Sequence, residues 1–462
     1  MSKLNVTIKD LFNIPGAEIF YPDELKTSHS VSIDTRTIRK GAVYFAIKGE
    51  KFDGHKFVED AYKKGANVVV INKSKLEKFK KLNRPFITVN DTTKAYGHLA
   101  NILRKKYGWK IISITGSNGK TTTKEFLATM LKEKYNVVKS EANNNNHIGV
   151  PLTIFSASKD TDFIIIEHGT NHFGEIKYTA DIAQPDFALI TNIGESHIEF
   201  LKDIDGVFKE KEELFKSTLN AGGKLFVNVD DPVLYHYYGN FENAVRYGFN
   251  RNYEVRGKVE SVSDEGNLKV KINFKNKEFS ATLPVPGFSN AQNFIASAAV
   301  ALNLGMNKNE ILSGAAKLKT VEGRLTIIKQ SNRVVINDSY NSSPNSVKAA
   351  LELLSEIKTY NRKAAILGDI FELGGKAKMI HQRLVLYIVE SNIQEIYTIG
   401  SNMKYLNKEL KNRFLIKKHF ESSDDLMKFI MNDGFEESVV LVKGSRGMKM
   451  EQYVELFTNR LN

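Results

Sequence analysis

The stretch Ile114 to Phe126, ITGSNGKTTTKEF, follows the apolar run IISIT and leads into a helical pattern reaching about Lys134. A strand ending at Thr115 and a helix starting near Lys120 bring backbone N–H groups and a helix N-terminus around one point, which favours an anion. Gly116 and Gly119 permit the tight path, with Ser117 and Asn118 in the turn. Lys120 can reach outer phosphates, and the hydroxyl of Thr121, followed by Thr122, stands where Mg²⁺ is ligated. The spacing G-x-x-G-K-T is two residues shorter than the common phosphate loop, so only the second half of that motif is matched. A glycine turn before an exposed helix is the plain alternative, but it does not call for strand, helix and GKT together.

This element belongs in a sheet, and the surrounding sequence supplies one. DFIIIE (162–167), DFALITNI (186–193) and KLFVNVDD (224–231) are apolar runs separated by helical stretches. Continuous apolar strands alternating with helices predict a mostly parallel sheet covered on both faces. Before it, VYFAIKG (43–49) and ANVVVIN (66–72) flank the helix-like FVEDAYKKG, a small α/β unit. From about 245 to 285 short alternating segments such as LKVKINF predict antiparallel strands. After Gly323, the runs VVINDS, KAAILGDI, EIYTIG and SVVLVKGS form a third α/β pattern. The expected domains are 1–108, 109–322 and 323–462.

Composition narrows the chemistry. The 462 residues, 42% hydrophobic, exceed what one core usually supports. There is no cysteine, which removes an enzyme-bound thioester as a route to an activated acyl group. A carboxylate activated here must use phosphate or adenylate. The net charge of +13 is spread over single and paired lysines such as Lys80, Lys81, Lys105 and Lys106, rather than gathered in one tract with aromatics. A nucleic-acid partner is therefore not expected. No apolar run of about eighteen residues and no signal-peptide layout is present, so no membrane insertion and a cytoplasmic location are expected.

Three further stretches place polar residues where a plain sheet would not need them. In IIIEHGTNHFGEI, Glu167 closes a buried strand at its carboxyl end, where ligands of such sheets collect. In TNIGESHIEF, His197 follows the next strand, and in GVFKEKEELF a helical stretch carries Lys211. Carboxylate and imidazole both suit Mg²⁺ or Mn²⁺, so Glu167 and His197 could share a metal. A lone histidine at a strand end is otherwise a surface or capping residue.

The segments TGSNGKTTT, NNNNHIGVPLT, EHGTNHFGEI, NIGESHIEF, NDSYNSSP, LGDIFELG and KGSRGMKME, in this order, resemble the Mur ligases from DTRTIRKG at Asp34 to the chain's end. The resemblance implies three α/β domains: a small N-terminal domain, a central P-loop ATPase-type domain and a Rossmann-like C-terminal domain. NDSYNSSP followed by LGDIFELG is similar to the branch that adds D-alanyl-D-alanine to a UDP-N-acetylmuramoyl-tripeptide. In that reaction ATP phosphorylates the peptide carboxylate and the dipeptide amine attacks the acyl phosphate.

Residue by residue, the resemblance puts Thr121 and Glu167 near one Mg²⁺ and His197 near a second. Lys211, in K-x-x-L-F, corresponds to a lysine that the family carbamylates, with Lys209 two residues away. Asn290 and Asn293 resemble adenine contacts, although Ser289 stands where the family usually has histidine. Arg324, Asp338, Tyr340 and Asn341 fall where the third domain reaches the nucleotide. Asp34, Arg36, Lys48, Gly49 and His55 resemble uridine-side contacts, and Asn143, Asn145 and Asn146 the muramoyl and peptide contacts. Arg446 is assigned to the dipeptide carboxylate. NDSYNSSP also reads as a strand followed by a helix capped by Ser343 or Asn341.

Closure of the domains needs no second subunit, so a monomer is expected, with hinges near 108–110 and 320–324. A neighbouring ligase adding diaminopimelate or lysine would show a D-x-x-R signature, which is absent. A folate polyglutamylating ligase would leave the DTR unit without a purpose. A nucleotide-binding regulator would not need Lys120, Glu167 and His197 together.

Overall fold

The computed structural model describes residues 4–251, 253–411 and 415–458. The chain forms two compact units. One comprises Met1–Ile114, Tyr135–Ala188 and Glu213–Lys224; the other comprises Thr115–Lys134, Leu189–Glu212 and Leu225–Asn462.

The first unit contains a five-stranded sheet of β1 (Glu18–Phe20), β2 (Ser30–Ser32), β3 (Ala42–Phe45), β4 (Val68–Asn72) and β5 (Phe86–Val89), in the order β1-β5-β4-β3-β2. All pairings are parallel except β1 with β5. Side chains alternate between faces, and both faces are buried. Val43, Phe45, Val68 and Val70 join one core with Leu99, Leu103 and Trp109, while Tyr44, Val69 and Ile71 pack with Val58 and Tyr62 in another. The short strands β1 and β2 carry too few residues for a periodic signal. The helix Thr92–Tyr107 starts where Asp91 accepts from the N–H groups of Thr93 and Lys94, and ends at Gly108 with φ 66°.

A nine-stranded sheet follows, comprising β6 (Lys110–Thr115), β7 (Val137–Lys139), β8 (Phe163–Glu167), β9 (Phe187–Ile190), β10 (Lys224–Asn228), β11 (Ala244–Gly248), β12 (Val255–Val262), β13 (Asn267–Phe274) and β14 (Lys277–Pro286). In the first unit β8 pairs in parallel with β6 and β7. In the second, β10, β11 and β12 pair in parallel and β12, β13 and β14 antiparallel. The antiparallel expectation for about 245 to 285 therefore holds from Val255 onward and fails for β11, which pairs in parallel with both neighbours. Lys275 and Asn276, both at positive φ, close the β13–β14 hairpin in the sense that matches strand twist.

The second unit also holds a six-stranded sheet: β15 (Thr326–Gln330), β16 (Arg333–Asp338), β17 (Arg362–Gly368), β18 (Glu395–Ile399), β19 (Ile416–Phe420) and β20 (Ser438–Lys443), ordered β15-β16-β20-β17-β18-β19. Only β15 is antiparallel to its neighbour. β20, last in sequence, sits between β16 and β17, so Asp338 and Lys443 end adjacent strands. The helix Pro344–Glu356 begins at Ser343, whose side chain caps it, with Pro344 in the first turn. No helix among the described residues is long and apolar enough to cross a membrane.

Candidate functional site

In the second unit the glycine loop is tied to the strand beside it. Thr191 N–H donates to the Thr115 carbonyl at 2.9 Å, and Ser117 N–H to the Asn192 carbonyl at 2.9 Å. Asn118 N–H donates to Asn192 Oδ1 at 2.9 Å, and the Thr191 hydroxyl donates to the Asn118 carbonyl at 2.5 Å. Gly116, at φ 149°, lies so close to Thr191 that a Cβ would meet its Oγ1 at 1.9 Å. Gly119, at φ 79°, precedes the helix Lys120–Leu131 without a side-chain cap, so the helix's first N–H groups face the loop. Lys120 Nζ donates to the Gly116 carbonyl at 2.8 Å, curling back over the loop it is expected to serve.

The residues from beyond Gly323 meet this loop. Arg324 Nη2 donates to Thr121 Oγ1 at 3.2 Å while its guanidinium lies 4.3 Å from the Tyr340 ring centroid. The Ser343 hydroxyl donates to Asn118 Oδ1 at 2.8 Å. Asp338 is buried, takes the Leu325 N–H at 3.1 Å and pairs with Lys443. Asn341 gives its carbonyl to Lys443 Nζ at 3.0 Å and its Oδ1 to the Ser342 N–H at 2.9 Å.

One cavity of 630 Å³ in the second unit is lined by Ser117, Asn118, Gly119, Lys120, Thr121 and Thr122, by His197, by Asn290 and Asn293, and by Arg324, Asp338, Asn341 and Arg446. Gly116, Tyr340 and Lys211 are not among the lining residues. Asn290, buried, spends its amide N–H on the Pro286 carbonyl at 2.8 Å. Asn293 Oδ1 accepts from the Thr123 hydroxyl at 3.2 Å, turning toward the loop. Ser289 also lines the cavity. Arg446 remains exposed.

Lys211 is 1% exposed on the helix Ile204–Asn220, whereas Lys209 faces solvent. Burial, and next the positive charge of Lys120, push the Lys211 amine well below its ordinary pKa. His197 sits at φ 55° with Nδ1 2.5 Å from a Glu372 carboxylate oxygen.

The remaining expected residues belong to the first unit. Glu167, buried, accepts from Asn145 Nδ2 at 3.1 Å. Asn145 also gives its carbonyl to the Gly169 N–H at 2.9 Å, and Asn146 Oδ1 takes the N–H of Gly149 at 2.9 Å. Asn143 is exposed. The asparagine run is thus a folded loop, held by its own amides, beside the end of β8. Arg36 donates from Nε and Nη2 to Asp34, holding that carboxyl below its usual value, and stays largely exposed. The backbones of Lys48 and Asp53 form an isolated antiparallel bridge, and Gly49 N–H donates to the Phe52 carbonyl at 2.9 Å. His55 is buried with both ring nitrogens engaged: Nε2 accepts from Asn72 N–H at 3.0 Å, so Nδ1 donates to Asp53 at 2.7 Å.

Sequence reasoning did not single out Thr191, Asn192, Asp231, Lys443 or Glu372, all of which line the cavity. Asp231 takes the Ile193 N–H at 2.8 Å and caps the helix Pro232–Tyr238. The available signal was positional: each of Asn192, Asp231 and Lys443 lies at or just after the end of an apolar run.

The chain matches the Mur ligase family catalytic domain over residues 27–104, the Mur ligase middle domain over 114–301 and the Mur ligase glutamate ligase domain over 323–446. It is 32% identical to the UDP-N-acetylmuramoyl-tripeptide–D-alanyl-D-alanine ligase of Bacillus subtilis, covering 97% of each chain. Its fold is similar to crystal structures of MurF from Acinetobacter baumannii (TM-score 0.88, 26% identity, 100% of both chains) and of MurF from Thermotoga maritima in complex with ADP (TM-score 0.82, 26% identity, 94% of this chain and 97% of that one). With its whole length accounted for in this way, the chain belongs to the Mur ligase family.

Proposed function

We propose that this chain is an ATP-dependent ligase that joins D-alanyl-D-alanine to UDP-N-acetylmuramoyl-tripeptide in peptidoglycan precursor synthesis. The observation that carries the reading is a single cavity lined by the glycine loop with Lys120 and Thr121 and by Arg324, Asp338, Lys443 and Arg446. ATP fits the loop: its phosphates meet the first N–H groups of an uncapped helix and two cationic side chains.

The peptide carboxylate attacks the terminal phosphorus, ADP leaves, and an acyl phosphate forms. The dipeptide amine then adds to the acyl carbon, loses a proton, and inorganic phosphate departs as the amide forms. Lys120 and Arg324 place positive charge where phosphoryl charge spreads, the largest contribution a protein makes to such transfers. Holding three reactants in one cavity removes up to about 7–11 kcal/mol of entropic barrier.

Mg²⁺ fits donors of this kind. Among the described residues no three His, Asp or Glu side chains form a ready-made cage, and Mg²⁺ normally takes one or two protein ligands besides phosphate oxygens and water. Thr121 and His197 in the second unit, and Glu167 in the first, are each assigned to Mg²⁺, which when bound would neutralise phosphate charge. Lys211, whose amine burial pushes well below its ordinary pKa, is suited to carbamylation: the deprotonated amine forms an N–C bond to CO₂ and releases a proton.

Asp34, Arg36, Lys48, Gly49, Asn143, Asn145 and Asn146 are assigned to the UDP-linked substrate and Arg446 to the dipeptide. His55, with both ring nitrogens used internally, acts by shaping the loop from Lys48 to Asp53. We assign the three domains to 1–108, 109–322 and 323–462, in line with the three matched segments, and expect a cytoplasmic monomer.

The test is phosphate release from ATP with UDP-N-acetylmuramoyl-tripeptide, with and without D-alanyl-D-alanine, comparing diaminopimelate- and lysine-containing acceptors. Release that depends on the dipeptide and yields a UDP-pentapeptide supports the reading. Release with a free amino acid in its place, or nucleotide binding without release, overturns it.

A further inference from the structure

The loop Asp369–Lys376 meets the segment Glu195–Lys202 through three contacts, and Arg383 on the helix after it (Ala377–Ser391) adds a fourth; the reaction as described uses none of them. His197 Nδ1 lies 2.5 Å from Glu372 Oε2. The Glu199 N–H donates to the Glu372 carbonyl at 3.0 Å, Lys376 Nζ donates to the Lys202 carbonyl at 3.1 Å, and Arg383 pairs with Glu195.

Glu372 is held from behind as well. Asp369 accepts from the N–H groups of Asn402 and Met403, Ile370 N–H donates to His381 Nε2 at 3.0 Å, and Phe371 N–H donates to Ser445 Oγ at 2.8 Å. Three consecutive residues are thereby fixed before the chain reaches Glu372. Both His197 and Glu372 adopt left-handed backbone conformations, φ 55° and 61°. Such conformations persist only where the surroundings over-determine them, and they cluster at functional sites.

His197 Nδ1 is buried and makes no hydrogen bond of good geometry, yet the Glu372 carboxylate is the charged group beside it; a neutral ring that carries its proton on Nδ1 leaves the Nε2 lone pair as the acceptor. His197 lines the cavity, as does Glu372. We infer that Glu372 is a positioning residue for the ligase reaction: its carboxylate fixes the His197 ring with Nε2 available to the cavity, and it does so only while the Asp369–Lys376 loop sits against Glu195–Lys202. The inference deepens the function proposed above and rests on it. It also supplies a reason for the loop's shape, since the histidine's active tautomer then depends on the C-terminal segment being in place.

The test reads the ring directly. In ¹⁵N-labelled protein, His197 signals, assigned by their loss in His197→Gln, should show the Nδ1–H tautomer. In Glu372→Ala that preference should disappear. Glu372→Ala should lower kcat about 10–100-fold, the range for loss of such a partner, with the Kd for ADP changed less than twofold. Glu372→Asp should recover part of the rate. A wild-type ring in the Nε2–H form, or an unchanged tautomer and kcat in Glu372→Ala, overturns the inference. A wild-type protein that makes no peptide bond overturns the ligase reading instead, and the tautomer measurement needs only the folded wild-type chain.

Discussion

Lys443 and Asp338 form an ion pair with Nζ 2.5 Å from Oδ2, where the parallel strands β20 and β16 end side by side. The ammonium also donates to the Asn341 carbonyl, and Asp338 holds the Leu325 N–H, so the pair ties three chain segments to the cavity wall. Asp338→Ala would leave a lysine that is 1% exposed without its counter-charge. Breaking a buried pair from one side costs about 3–5 kcal/mol. Urea unfolding should show a loss of that order, and Asp338→Asn, which can still accept from Leu325, a smaller one.

Lys120→Ala should lower kcat for ADP formation by about 10²–10³-fold, the usual effect of removing one charge-stabilising donor from a preorganised site. The Nζ donates to the Gly116 and Ser117 carbonyls of its own loop, and a melting curve of the variant separates a loss of chemistry from a loss of fold. Rates measured with UDP-tripeptide and dipeptide at saturating ATP would decide it; a fall of less than threefold would remove Lys120 from the phosphoryl transfer.

Gly119→Ala meets two obstacles. Its φ of 79° is strained for any side chain, and the new Cβ would lie 2.3 Å from Asn293 Oδ1. A left-handed non-glycine residue costs about 1–3 kcal/mol. ADP binding by calorimetry should be lost or weakened more than tenfold, and shortening Asn293 to Ala in the same chain should restore only part of it.

Lys211→Ala should abolish most activity, and bicarbonate-rich buffer should not restore it, because no amine remains to be carbamylated. Lys209→Ala, on the solvent face of the same helix, should retain near-normal turnover. Equal losses in both variants would point to the helix rather than to the Lys211 amine.

His168 is fully buried, with Nδ1 at the Thr179 hydroxyl and Nε2 at that of Ser113, and burial lowers its pKa to about 3. The unfolded chain takes up a proton near pH 6.5, whereas the folded chain does not. Stability from this group is therefore complete above about pH 6.5 and falls by up to about 1.4 kcal/mol for each pH unit below it, until the folded-state value is reached. Melting curves at pH 7.5 and 5 should converge for His168→Gln relative to the wild type.

Local order was written in the sequence wherever one short segment supplies all that an element needs. IISIT, the two glycines and GKT specify strand, turn and helix start without outside help, and Ser343 with Pro344 caps its helix as the spacing indicates. Continuous apolar runs marked the buried parallel strands of all three sheets. The three-residue strands β1 and β2 carry no such signal, and the parallel pairing of β11 is not legible locally, because strand direction depends on which neighbour the chain returns to. The pairing of His197 with Glu372, of Lys443 with Asp338, and of Arg324 with Thr121 joins residues far apart in the chain. Sequence determined which groups could carry phosphate chemistry, because backbone conformation and side-chain type are local properties. Only the tertiary structure decided which of those groups meet, which lysine on one helix is stripped of water, and which histidine nitrogen is left to act, because contact, burial and hydrogen-bond partnership are set by distant segments of the folded chain.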